Sequence, residues 1–168
     1  MGNRLKPLDA SDRRHLEAAK GWCQLEDFLE ANEELEQITA NLRAHPDVLE
    51  VRWQIYANLN KWEGALEIAG AIATLAPNKP EGWIYKASSL HELTRDAEAH
   101  EVLLYAAKQF PGDEIVLYDL ACVCCSMKRF DEARSWLSNA ITAGGNEIKF
   151  RASEDDELEP LWTDISEM

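Results

Sequence analysis

The sequence has 168 residues, 46% of them hydrophobic, which is room for one domain or one short repeat array with a core of its own. Its 31 acids outnumber its 17 bases, for a formal charge of −14. That balance argues against electrostatic capture of nucleic-acid phosphates or an anionic membrane surface, and suits a soluble protein with basic partners.

Met1 to Ala10 contains no apolar stretch of the secretory type, and position six lacks the Ser or Thr of a myristoylation signal. No run approaches the length of a membrane span. Three of the four cysteines (Cys23, Cys122, Cys124, Cys125) are clustered, unlike a secreted disulfide framework. The expectation is a cytoplasmic protein with reduced thiols.

In chain order, apolar residues three and four apart predict helices over about 11–27, 30–43, 47–59, 63–75, 81–93, 96–109, 114–127 and 130–142. Turns are expected at His45-Pro46-Asp47, Pro77-Asn78-Lys79-Pro80 and Pro111-Gly112-Asp113, because the residue before a proline is biased away from helix. Gly144-Gly145-Asn146 is expected to end the last of these helices.

The helices repeat. Ala31, Ala65, Ala99 and Ala133 stand 34 residues apart, followed by Leu35, Ala69, Leu103 and Leu137. Eleven residues into each unit come Trp22, Tyr56, Leu90 and Cys124. Each unit is then a helix pair, A and B, whose backbones approach at small residues while larger ones fill the space between. A Pro or Gly near the end of three units (Pro77, Pro111, Gly145) stops helix B.

Trp83, Ala87, Leu90, Ala99, Leu103 and Pro111 in the third unit carry a resemblance to tetratricopeptide repeats. Tyr56, Ala65 and Pro77 in the second unit match too, as do Phe130, Ala133, Leu137 and Ala140 in the fourth. The resemblance covers residues 12–147 as units 12–45, 46–79, 80–113 and 114–147, after an N-terminal extension at 1–11. It implies an all-α right-handed superhelix of antiparallel helix pairs. The first unit departs most, with Arg43 where Pro is usual. The second carries bulky Trp53 where a small residue is expected, so looser or rotated packing is expected there.

Residues 148–168 form an acidic tail. Leu158, Leu161, Trp162 and Ile165 recur at helical spacing after Ser153-Glu154-Asp155-Asp156-Glu157. A stacked array leaves an apolar face on its last helix, so a C-terminal capping helix is expected. The other reading is a detachable motif that occupies the array's own groove or a partner's.

No nucleophile elbow, phosphate loop or His-Glu-x-x-His motif occurs, so neither catalysis nor a cofactor is expected. Cys122 and Cys125 have Cys-x-x-Cys spacing, but fall within a helix rather than at its N-terminus, where a dipole lowers a thiol pKa. They read as small hydrophobes. Five of the six tryptophans are expected to face neighbouring helices rather than to form a ligand cage.

The resemblance further implies that the A helices line a concave groove for a partner's peptide segment. The candidate positions are Glu50, Gln54, Glu81, Ile84, Tyr85, Ser88, His91, Tyr118 and Cys122. At the groove-facing positions basic residues occur only in the first unit, at Arg13 and Lys20, so a clamp for an acidic C-terminus is not expected. The surface suits a peptide with apolar anchors and a central basic residue. The function expected is a protein–protein interaction adaptor, with no metal, nucleic acid or membrane involved. The alternatives are a small acidic secretion-type chaperone, or an assembly protein that self-associates, as a homodimer, through its array ends.

Overall fold

The computed structural model describes residues 6–165, and among these it is all-α. Four helix pairs stack into a superhelix: α1 (Ala10–Gln24) with α2 (Phe28–Gln37), α3 (Pro46–Asn58) with α4 (Trp62–Leu75), α5 (Glu81–Glu92) with α6 (Asp96–Gln109), and α7 (Glu114–Ser126) with α8 (Phe130–Glu154). A 3-10 segment, Asp156–Leu161, and a short α9 (Trp162–Ile165) follow. Asp9, Asp27 and Asp113 each accept backbone N–H bonds at a helix start, satisfying donors that the first turn leaves unpaired.

The pairs close where the 34-residue spacing places alanine. Ala31, Ala65, Ala99 and Ala133 are each 0% exposed. Just before each B helix, one residue adopts positive φ: Glu26 (58°), Asn60 (54°), Thr94 (57°) and Lys128 (59°). These too lie 34 residues apart. The following N–H of each turn bonds back to the A helix: Asp27 to Trp22 O, Lys61 to Tyr56 O, Arg95 to Leu90 O and Arg129 to Cys124 O. This is a Schellman-type ending built without glycine.

The first pair ends differently from its expectation. Helix α2 stops at Gln37 instead of near residue 43, because Ile38 turns extended (ψ 140°). Buried Asp12 accepts bonds from Thr39 N at 2.8 Å and Thr39 Oγ1 at 3.0 Å, holding the chain off the helix axis. Arg43 takes over the terminating role of the absent proline. Its guanidinium donates to Ile38 O at 2.9 Å, to Glu36 O, and to the Glu36 carboxylate at 2.6 Å. Trp53 is accommodated by turning toward the next unit, where it stacks on Tyr85 with ring centroids 4.2 Å apart and donates Nε1–H to Ser89 Oγ at 3.0 Å. Next to it, α4 and α5 approach so closely that a Cβ on Gly82 would lie 2.5 Å from Ala73 N.

Gly145 (φ 66°, ψ −147°) breaks α8, so the chain changes direction there and resumes as helix. The tail packs on the last pair as a 3-10 segment and one short helical turn rather than as a single capping helix. Leu158 and Leu161 are 0% exposed and join Tyr118, Ala121 and Cys122 in one apolar cluster, so the segment caps the last pair while lying against an A helix.

A non-glycine residue in the left-handed region costs about 1–2 kcal/mol, and most for a β-branched one. Thr94→Gly should therefore raise the urea midpoint, by about 1 kcal/mol in stability, while Asn60→Thr should lower it. Equal midpoints for both variants and the wild type would show that these turns are unstrained.

Candidate functional site

The concave face divides into an open half and a covered half. In the open half, Lys20, Cys23 and Gln24 of α1 and Glu50, Val51, Gln54 and Asn58 of α3 line a shallow cleft. Glu81, Ile84, Tyr85 and Ser88 continue along α5, all half-buried. Tyr85 is held there by its stack on Trp53.

The electrostatics of this half are lopsided. Burial pushes the Glu50 carboxyl above its usual range, and the neighbouring charges of Asp47 and Glu81 push it further; Lys79 and Lys20 offset this only in part. Burial likewise raises the Tyr85 hydroxyl to about 12, aided by Glu50 and Glu81. One carboxylate oxygen of Glu81, Oε2, is buried with no hydrogen-bond partner among the described residues. A buried carboxylate oxygen without a donor is costly, and a cationic donor is the group that relieves it.

In the covered half, Tyr118 and Cys122 do not line an open groove as expected, because the chain's own tail lies over them. Tyr118 is 1% exposed and Cys122 6%. Tyr118 OH donates to Asp155 Oδ2 at 2.5 Å, and the Arg151 guanidinium lies 4.3 Å from the Tyr118 ring centre. His91 is held between two carboxylates, with Nδ1 2.6 Å from Asp96 Oδ1 and Nε2 3.2 Å from Glu157 Oε1. Arg134 Nε donates to Asp164 Oδ2 at 2.8 Å further along the tail. A cavity of about 260 Å³ remains beside this contact, lined by Ser88, His91, Tyr118, Asp119, Arg151 and Asp155 among others.

No protein-family model matches the sequence, and no curated protein is significantly similar to it. Solved structures are similar in shape. MamA (residues 41 to the end) from Desulfovibrio magneticus RS-1 superposes with a TM-score of 0.70 at 15% identity, over 96% of each chain. TTC0263, a thermophilic TPR protein in Thermus thermophilus, gives 0.70 at 15% identity, over 92% of this chain and 95% of that one. YrrB, described as a TPR protein with an unusual peptide-binding site, gives 0.66 at 18% identity, over 86% and 75%. The fold is that of the tetratricopeptide-repeat proteins. Its A helices carry all nine candidate positions, which the structure separates into two settings. Glu50, Gln54, Glu81, Ile84 and Tyr85 belong to the open half; Tyr118, Cys122 and His91 are engaged by the tail, and Ser88 lies at the border.

The repeat register could not reveal the tail's partners. Asp155 and Glu157 lie 37 and 66 residues from Tyr118 and His91, outside any unit. All four thiols are free, and burial raises each of them, Cys122 well above its usual range and Cys125 to about 11. A thiol held protonated in this way is a poor nucleophile. Among the described residues, no helix is long and apolar enough to cross a membrane.

The tail contact titrates. The hydrogen bond to Glu157, then that to Asp96, raises His91 to about 9, while His91 lowers Glu157. A raised histidine stabilises the folded form most below its unfolded value near 6.5, and loses that contribution as pH rises through about 9. Burial raises the Asp119 carboxyl to about 7, which also weakens the folded form as pH rises toward that value. Glu157 contributes in the opposite sense, and only at acidic pH. Amide exchange over residues 155–165, corrected for intrinsic rates, should therefore be slower at pH 6 than at pH 9. His91→Gln should remove most of that difference, and a wild type with equal protection at both pH values would contradict the assignment.

Proposed function

We propose that the chain is a protein-interaction scaffold that takes an extended peptide segment along the open half of its groove, with a Lys or Arg side chain of the peptide set between Glu50 and Glu81. The observation that carries this reading is the buried, donorless Oε2 of Glu81 beside a Glu50 whose carboxyl is raised by burial and like charge. An arriving cation lowers the energy of both groups. The polar cleft around Gln54 and Asn58 and the half-buried Ile84 suit the flanking backbone and an apolar anchor. The peptide-binding site for which YrrB is described, a protein of the same fold, supports a peptide ligand here. The net charge of −14 favours encounter with a basic partner and predicts that salt weakens binding.

Alanine at Tyr85 or Tyr118 is a poor test, since Tyr85 stacks on Trp53 and Tyr118 anchors the tail. Glu50→Gln with Glu81→Gln keeps shape and removes charge. On a peptide array that varies the central residue between apolar flanks, the wild type should select Lys and Arg. The double variant should lose at least about tenfold of that preference, as expected for a charge-assisted bond of roughly 1.4 kcal/mol or more. No preference in the wild type, or the same preference in the variant, would overturn the reading.

A further inference from the structure

Away from the groove, three side chains with metal-binding atoms converge where the third and fourth helix pairs meet. His100 of α6, Cys124 of α7 and Glu132 of α8 bring one ring nitrogen, the Sγ and one carboxylate oxygen within 4.8 Å of one another. His100 Nε2 is 2.9 Å from Glu132 Oε1. His100 and Cys124 are buried, whereas the Glu132 side chain retains 36% exposure and opens the group to solvent. Trp136 Nε1 donates to Glu132 Oε1 at 3.4 Å, and Arg129 Nη1 lies 3.7 Å from Glu132 Oε2.

An imidazole, a thiol and a carboxylate form the borderline donor set that suits zinc. Bonds of about 2.0–2.3 Å from one tetrahedral ion place its ligand atoms about 3–4 Å apart. The present spacing, from 2.9 Å to at most 4.8 Å, meets that with small side-chain rotations. A thiolate and a carboxylate would balance a divalent charge, which makes the ion acceptable in a mostly buried place. The Cys124 thiol and the His100 ring both hydrogen-bond the Glu132 carboxylate, so the three donor groups already converge on one point. The same residues come from three helices of adjacent units, so an ion there would tie those units together.

We propose that His100, Cys124 and Glu132 bind one divalent transition-metal ion of the zinc type, with solvent completing the coordination on the exposed side of Glu132. The Cys124 thiol gives up its proton as the metal–sulfur bond forms, and that proton leaves to solvent.

Cobalt(II) is the direct probe, because a thiolate ligand gives it a near-ultraviolet charge-transfer band. Titrating the full chain with cobalt(II) should produce that band, saturating at one equivalent and bleached by zinc. Cys122→Ser and Cys125→Ser should keep the band, and Cys124→Ser should abolish it with the far-ultraviolet helical signal intact. Since Cys124 is buried, Glu132→Gln at the partly exposed edge provides an independent arm: it should weaken cobalt binding by about tenfold or more. No band in the wild type, or a band that survives both Cys124→Ser and Glu132→Gln unchanged, would overturn the site.

Discussion

The close crossing of each helix pair at a fully buried alanine is the constraint on which the rest depends. Ala31, Ala65, Ala99 and Ala133 have no side chain beyond Cβ, so the two backbones meet there and the larger residues one turn away, Leu35, Leu103 and Leu137, fill the flanking space. A longer side chain at any of these positions would have to displace a backbone, which close-packed interiors resist. The left-handed turn five residues earlier fixes the angle at which helix B returns. With both features repeated every 34 residues, the four helix pairs stack in the same sense.

That stacking creates a problem at its own end, and the answer to it shapes the function. The last pair has an apolar face with no fifth unit to cover it. The chain turns back at Gly145 and seals the face with Ile148, Ala152, Leu158, Leu161 and Ile165. The acids that accompany these residues find Tyr118 and His91 on the concave side. Capping and groove occupancy are therefore one contact, and half of the concave surface is used internally. What remains open is the half where Glu50, Asp47 and Glu81 crowd together and Lys79 and Lys20 offset their charge only in part, and the proposed basic partner rests on that imbalance.

Much of this could be read in the sequence, because repetition converts weak local signals into a register. The helices predicted from apolar spacing coincide with those observed to within a few residues, apart from α8, which resumes past Gly145 as far as Glu154, and α2. The α2 exception rests on Asp12 and Arg43, whose roles depend on backbone groups of Thr39, Ile38 and Glu36 brought near by the fold. The left-handed turns are periodic, yet the residues in them (Glu26, Asn60, Thr94, Lys128) include only one type that favours that conformation. The covering of Tyr118 and Cys122 was beyond local reading, since the segment that covers them lies outside the repeat. So was the meeting of His100, Cys124 and Glu132, which no spacing rule for metal ligands describes.

The most direct test of the account is whether the tail occupies the groove in solution. In the full chain, nuclear Overhauser contacts between the Tyr118 ring and the methyl groups of Leu158 and Leu161 report it without any substitution. The account predicts these contacts at pH 6, together with slowed exchange of the amides that follow Asp155. A Tyr118 ring with no contact to either leucine, in a chain whose four helix pairs are otherwise intact, would contradict it.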